Sequence, residues 1–156
     1  MILGIDLAIS NCGLCFMNDD ETCSFATIGI KDVAKDDDVI LQFSKSLSKV
    51  VSDQTCYVDF HFNECFLPNK RKHIALKYFL AGVIFVSAKE TYFIKPSALR
   101  VHFGFEPKMN KYKFHEAMLK DCYKGNGEYW KLDNANEHER DAYLLALMGL
   151  QLQRSK

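Results

Sequence analysis

Three strand patterns in succession, before any helix, constrain this chain more than any other feature. Residues 1–7 and 13–17 read as strands joined by the turn-rich Ala8-Ile9-Ser10-Asn11, and residues 22–30 form a third after the acidic turn Asn18-Asp19-Asp20-Glu21. Strands linked this tightly form an antiparallel meander, because parallel neighbours need a long crossover between them. A purely parallel α/β fold is thereby excluded.

The rest of the chain alternates helix and strand. Residues 36–52 place Val39, Ile40, Phe43, Leu47, Val50 and Val51 at helical spacing, with Asp36, Asp37 and Asp38 near the positive N-terminal end. Residues 56–64 predict a strand with Val58, Phe60 and Phe62 on one face and Glu64 continuing that face at its end. Residues 69–89 predict a long helix, apolar almost all round over 74–86. Such a helix must be covered on more than one side, which in a small domain points to a homodimer interface. A short strand (91–94), a helix with Pro96 in its first turn (96–101) and a helix over 110–123 follow. The last helix runs from 137 to about 152, with Asp133, Asn134 and Asn136 upstream as candidate caps. This order predicts one α/β domain over residues 1–156: a mixed five-stranded sheet with an antiparallel three-strand meander, flanked by helices. At 48% hydrophobic content there is enough apolar material for a single core. The absence of a leader or membrane span, together with six cysteines in apolar contexts, predicts a cytoplasmic protein with reduced thiols.

Three acids violate the apolar pattern: Asp6 and Glu64 at strand ends, and Asp141 on the last helix. Burying an unpaired carboxylate costs several kcal/mol, about enough to demand a positive partner, and a divalent metal is the natural one. In a mixed sheet the first and fourth strands can be neighbours, which would set Asp6 beside Glu64. His138 and Asp141, three residues apart, would share a helical face across from them. Hard oxygen donors suit Mg²⁺ or Mn²⁺, and the imidazole of His138 tolerates Mn²⁺ better. Two ions roughly 4 Å apart would stabilise the attacking and leaving oxygens of a phosphodiester hydrolysis whose nucleophile is a metal-activated water.

Zero net charge hides a segregation. Residues 1–64 hold 4 Lys/Arg against 11 Asp/Glu, and residues 65–124 hold 12 against 4. The basic third is interleaved with Phe66, Tyr92, Phe93, Phe103, Phe105, Tyr112 and Phe114, the mixture suited to phosphates and exposed bases, so a polyanion partner is expected.

These motifs carry a resemblance. GIDLAISNCG from Gly4, FNECF around Glu64 and HERDAYLLAL from His138 resemble, in order and spacing, the motifs of RuvC-like Holliday junction resolvases, notably the small phage-encoded type of lactococcal phages. The resemblance implies an RNase H-like fold, a homodimer, a two-metal endonuclease using Mg²⁺ or Mn²⁺ and four-way DNA junctions as substrate class, with the choice between junctions and forks left open, and, for a phage-encoded protein, the host cytoplasm as location. Carried over by position, Asp6, Glu64, His138 and Asp141 are the catalytic metal ligands. Phe66 lies near the place of the family's junction-wedging aromatic, and Lys70, Arg71 and Lys72 would hold junction arms. Among Lys108, Lys111 and Lys113 the resemblance does not choose the residue nearest the scissile phosphate. Lys95 and Arg100 would be positioning contacts. The chain departs from the family where Leu7-Ala8 replace the usual Pro-Gly.

Other readings rank lower. Cys12 and Cys15 lie three apart in a strand and should face opposite sides, against a zinc site. His61, His73, His102 and His115 show no ligand spacing and read as structural or surface residues; Asp133, Glu137 and Glu139 rank below Asp141 on helix phase alone. An actin-like ATPase would need two domains. A non-cleaving branched-DNA-binding module would gain nothing from acids beside phosphates, whereas an RNase H-like nuclease acting on structured RNA stays open as an alternative.

Overall fold

The computed structural model describes residues 1–30, 37–60, 71–122 and 132–156, with the backbone alone at 71 and 72. Five strands form one sheet in the order β3-β2-β1-β4-β5. β1 (Ile2–Asp6), β2 (Cys12–Met17) and β3 (Cys23–Ile28) make the expected antiparallel meander, while β4 (Thr55–Asp59) lies parallel to β1 and β5 (Glu90–Ile94) parallel to β4. The parallel pairs are reached through α1 (Asp37–Val51) and α2 (Arg71–Ser87). α3 (Pro96–His102), α4 (Lys111–Leu119), a 3-10 turn (Lys120–Cys122) and α5 (Glu137–Arg154) complete the chain.

Strand alternation sorts the core into two layers. Leu3, Ile5, Cys12, Leu14, Cys56, Val58 and Phe60 pack with Phe43, Leu47, Leu80 and Ile84 of α1 and α2. Ile2, Cys15, Met17 and Tyr57 face the other way, against Leu99, Phe114, Leu119 and the apolar side of α5. Cys12 and Cys15 therefore lie in different layers, as their spacing predicts, and none of the five described cysteines is joined in a disulfide.

α5 lies unusually near the sheet because two strand residues lack side chains. A Cβ on Gly4 would run into the carbonyl of Ala142, and one on Gly13 into the carbonyl of His138. Both ends of the helix are tied to the meander. Asn136 caps it, accepting from the Glu139 amide at 3.0 Å while Glu139 Oε2 accepts from the Asn136 amide, and Asn136 Nδ2 donates to Thr27 Oγ1 of β3 at 2.7 Å. At the other end Arg154 pairs with Glu21 at 2.8 Å and donates to the Asp19 carbonyl. The second and fifth residues of α5, His138 and Asp141, are thereby placed over the end of β1.

One expectation needs correction. The strand expected over 56–64 ends as β4 at Asp59, and its even-numbered residues face α1 and α2. Glu64 lies outside the described residues, as do Phe66 and Lys70 and the side chains of Arg71 and Lys72. No helix among the described residues is long and apolar enough to cross a membrane.

Candidate functional site

The C-terminal ends of β1 and β4 meet the first turns of α4 and α5 around a group of carboxylates. Asp6 and Asp59 are register partners on adjacent parallel strands, both on the face turned toward α5. From α5, His138 Nδ1 lies 2.7 Å from Asp6 Oδ2. Asp141, one turn further along, meets two groups from α4: His115 Nε2 at 2.6 Å on one oxygen and Lys111 Nζ at 2.7 Å on the other. Lys111 also reaches Glu137 Oε1 at 3.0 Å. α4 can offer both cations because positions four apart share a helical face, and Asn110 fixes the start of that helix by accepting from the amides of Tyr112 and Lys113. A cavity of about 200 Å³ opens among Asp6, Asp59, Arg100, Lys111, His115 and Asp141, above an apolar floor that includes Leu99, Phe114 and Leu145.

The electrostatics divide the acids. Burial pushes the Asp59 carboxyl up to about 7, and the neighbouring charge of Asp6 adds to it, against a partial offset from Lys77. Burial, then the charge of Asp141, raises Asp6, while His138 and Lys111 pull it back. Burial also acts to raise Asp141, but its hydrogen bonds with His115 and Lys111 outweigh this and hold it below the usual carboxylate range. Lys111 is raised in turn: burial opposes its charge, but Asp141 and then Glu137 favour it more strongly. Asp6 and Asp59 thus form the part of the site that lacks sufficient positive charge.

Of the residues expected from the sequence, Asp6, His138 and Asp141 converge here, with Lys111 and Arg100 in the same cavity. Lys111 is the member of the basic block that enters the carboxylate group. Lys113 instead lines a separate groove with Phe105 and Met109, and Lys95 and Lys108 are exposed. Two functional candidates were ranked out or overlooked. His115, read as structural or surface, holds Asp141; its relation to Lys111, four residues earlier in the same helix, was the available sign. Asp59 breaks the apolar run Tyr57-Val58-Asp59-Phe60 as plainly as Asp6 breaks its own strand, but setting Glu64 of the even-numbered face beside Asp6 hid it. Glu137 also belongs to the group, through Lys111.

No protein-family model matches the sequence, and no curated protein matches it either. Solved structures do match in fold. A structure of Thermus thermophilus RuvC superposes with a TM-score of 0.60 at 14% identity, covering 99% of this chain and 96% of that one. T. thermophilus RuvC in complex with Holliday junction substrate gives 0.60 at 13% identity, covering 98% and 94%. The mixed five-stranded sheet with its flanking helices is thus a RuvC-like, RNase H-like fold.

Proposed function

We propose that this protein is a metal-dependent, structure-selective DNA endonuclease that cleaves four-way junctions and other branched DNA, akin to the small phage-encoded resolvases and acting in the host cytoplasm. The observation that carries this reading is the pairing of Asp6 with Asp59 at adjacent strand ends, with Asp141 presented across them, on a fold shared over its whole length with a protein solved on a Holliday junction.

The donor set fits a hard divalent cation. Asp6 and Asp59 are both held above the usual carboxylate range by burial and neighbouring negative charge, the condition that a divalent ion relieves. Among the described residues no three His, Cys, Asp or Glu side chains are already clustered as ligands, and Asp141 is turned onto His115 and Lys111. Asp6, Asp59 and Asp141, with the nitrogen of His138, would hold Mg²⁺ or Mn²⁺; Glu64 remains a further candidate ligand. Bound ions, two in this reading, would polarise the scissile phosphodiester and activate water for in-line attack.

The protein's own residues do the rest. His138 and His115 orient the Asp6 and Asp141 carboxylates. Asp141, now paired with Lys111, would be the carboxylate made available to a metal, and Lys111 would then offer its ammonium to the phosphate beside Arg100. Lys95, Lys108 and Lys113 extend the positive surface toward the junction arms; Lys70, Arg71 and Lys72 as arm contacts and Phe66 as the wedging aromatic rest on the resemblance alone, since Phe66, Lys70 and the side chains of Arg71 and Lys72 lie outside the described residues. Cleavage of both strands requires two sites, and α2 supplies the surface for a homodimer. Phe79, Phe85 and Val86 are 42%, 63% and 79% exposed, beside an apolar groove lined by Tyr78, Ala81, Gly82, Phe85 and Phe93.

The test incubates labelled four-way junction and matched linear duplex with the protein in Mg²⁺ or Mn²⁺, beside Asp6→Asn and Asp59→Asn. Metal-dependent cuts confined to the junction and lost in both variants support the reading. Tight junction binding without cleavage would make the protein an architectural module, and cleavage of structured RNA alone would move it to RNA.

A further inference from the structure

The carboxylate cavity does not end at Asp141. His115 lines it and also lines a second cleft, of about 390 Å³, between α4 and the first turn of α5, whose other walls are Tyr112, Glu116, Lys120, Glu137 and Arg140. His115 touches Asp141 at 2.6 Å, and Glu137 is joined to the same residue through Lys111. Two walls of the second cleft are therefore built from residues that hold the candidate metal site.

Tyr112 is 73% exposed, although Phe114 and Leu119 of the same helix are buried. An isolated exposed aromatic is ordinary. This one borders a concavity that carries the cationic Lys120 and Arg140 together with Glu116 and Glu137, the latter already paired with Lys111, and that adjoins the carboxylates. An aromatic face beside cations is the device by which proteins grip unpaired nucleotides, the ring taking a base and the cations the backbone. The cleft is near the small end of the range for ligand sites, about 300–1,000 Å³, a scale that suits one nucleotide and excludes a duplex.

We propose that this cleft takes the nucleotide adjoining the scissile phosphate, with its base stacked on Tyr112 and its backbone held by Lys120 and Arg140; the inference rests on reading the carboxylate group as a nuclease site. Glu116 repels phosphate, so the backbone lies toward the cationic side and the base toward Tyr112. A strand stacked in this way is anchored beside the cut, which fixes the phosphate presented to Asp6, Asp59 and Asp141. Tyr112 is then a residue of substrate binding, and its loss shifts affinity and cutting position.

The experiment places 2-aminopurine at each nucleotide flanking the mapped cut of a four-way junction and follows its fluorescence on binding in the Asp6→Asn background. Cleavage by the otherwise native protein is measured in parallel. The expected result is quenching at one position, abolished by Tyr112→Ala and preserved by Tyr112→Phe, with KM raised about tenfold by the alanine variant alone. If the native protein cuts junctions but Tyr112→Ala changes neither KM nor quenching at any position, the subsite is overturned and the nuclease reading stands. If the native protein neither binds nor cuts branched DNA, both fall.

Discussion

Asp6 and Asp59 stand opposite each other in the parallel register of β1 and β4, and burial raises both carboxyls, the charge of Asp6 adding to the effect on Asp59 and that of Asp141 to the effect on Asp6. Adjacent strands lie about 4.8 Å apart, a spacing at which two carboxylates sharing low-dielectric surroundings resist joint ionisation. Their demand for positive charge is the basis of the first prediction.

Folding holds the Asp59 carboxyl at about 7 against an ordinary value of 3.8. Below the lower value the group is protonated in both states and costs nothing. As pH rises from there toward 7 the unfolded chain releases this proton first, so stability falls, and above 7 the full cost remains, about 4 kcal/mol as an upper value from about 1.4 kcal/mol per unit. In EDTA, Asp59→Asn should therefore be more stable than the native protein by a margin that widens between pH 4 and pH 8. Urea denaturation at a series of pH values measures it; a margin independent of pH would show that Asp59 titrates normally.

Mg²⁺ or Mn²⁺ should reverse that ranking. A cation bound between the acids stabilises the native protein in proportion to the logarithm of its concentration over Kd. Melting temperature should rise with either metal for the native chain and stay nearly flat for Asp6→Asn and Asp59→Asn. An equal rise in all three would place the cation elsewhere.

Lys111 is paired with Asp141 and Glu137, so its removal acts in two directions. Lys111→Met should tighten metal binding by vacating Asp141, while lowering the cleavage rate by a factor of 10² or more through loss of charge at the phosphate, about 3 kcal/mol. Calorimetric metal titration and single-turnover cleavage separate the two effects. Neutralising Lys111 and Lys113 together should also flatten the salt dependence of junction binding, with the slope of log K against log salt falling by about 1–2.

Phe85 is mostly exposed on α2 and lines the apolar groove there. Phe85→Glu should convert a dimer to a monomer in light scattering and replace paired incisions by single nicks. A native protein that is already monomeric would leave this face for another partner.

Gly13 meets the His138 carbonyl, where a methyl group would force α5 outward. Gly13→Ala should destabilise the fold by about 1–3 kcal/mol as an overpacked contact and reduce cleavage further than stability alone explains, since His138 and Asp141 travel with the helix. Thermal melts alongside rates at a temperature where both proteins are folded test this.

The meander, the alternation of strand and helix after it, the nearly all-round apolar character of α2 and the acids at Asp6 and Asp141 were legible in the chain. Each is set by a local period or by a charge that breaks one. The spacing of His138 and Asp141 on one helix was legible for the same reason. What the sequence could not decide was which face of β4 turns toward α5: alternation defines two faces, and only the parallel register with β1 and the packing of α5 through Gly4 and Gly13 select the one that carries Asp59. The place of Lys111 and His115 likewise came from tertiary structure, because α4 and α5 meet across 26 residues of sequence between His115 and Asp141, a separation that carries no periodic signal.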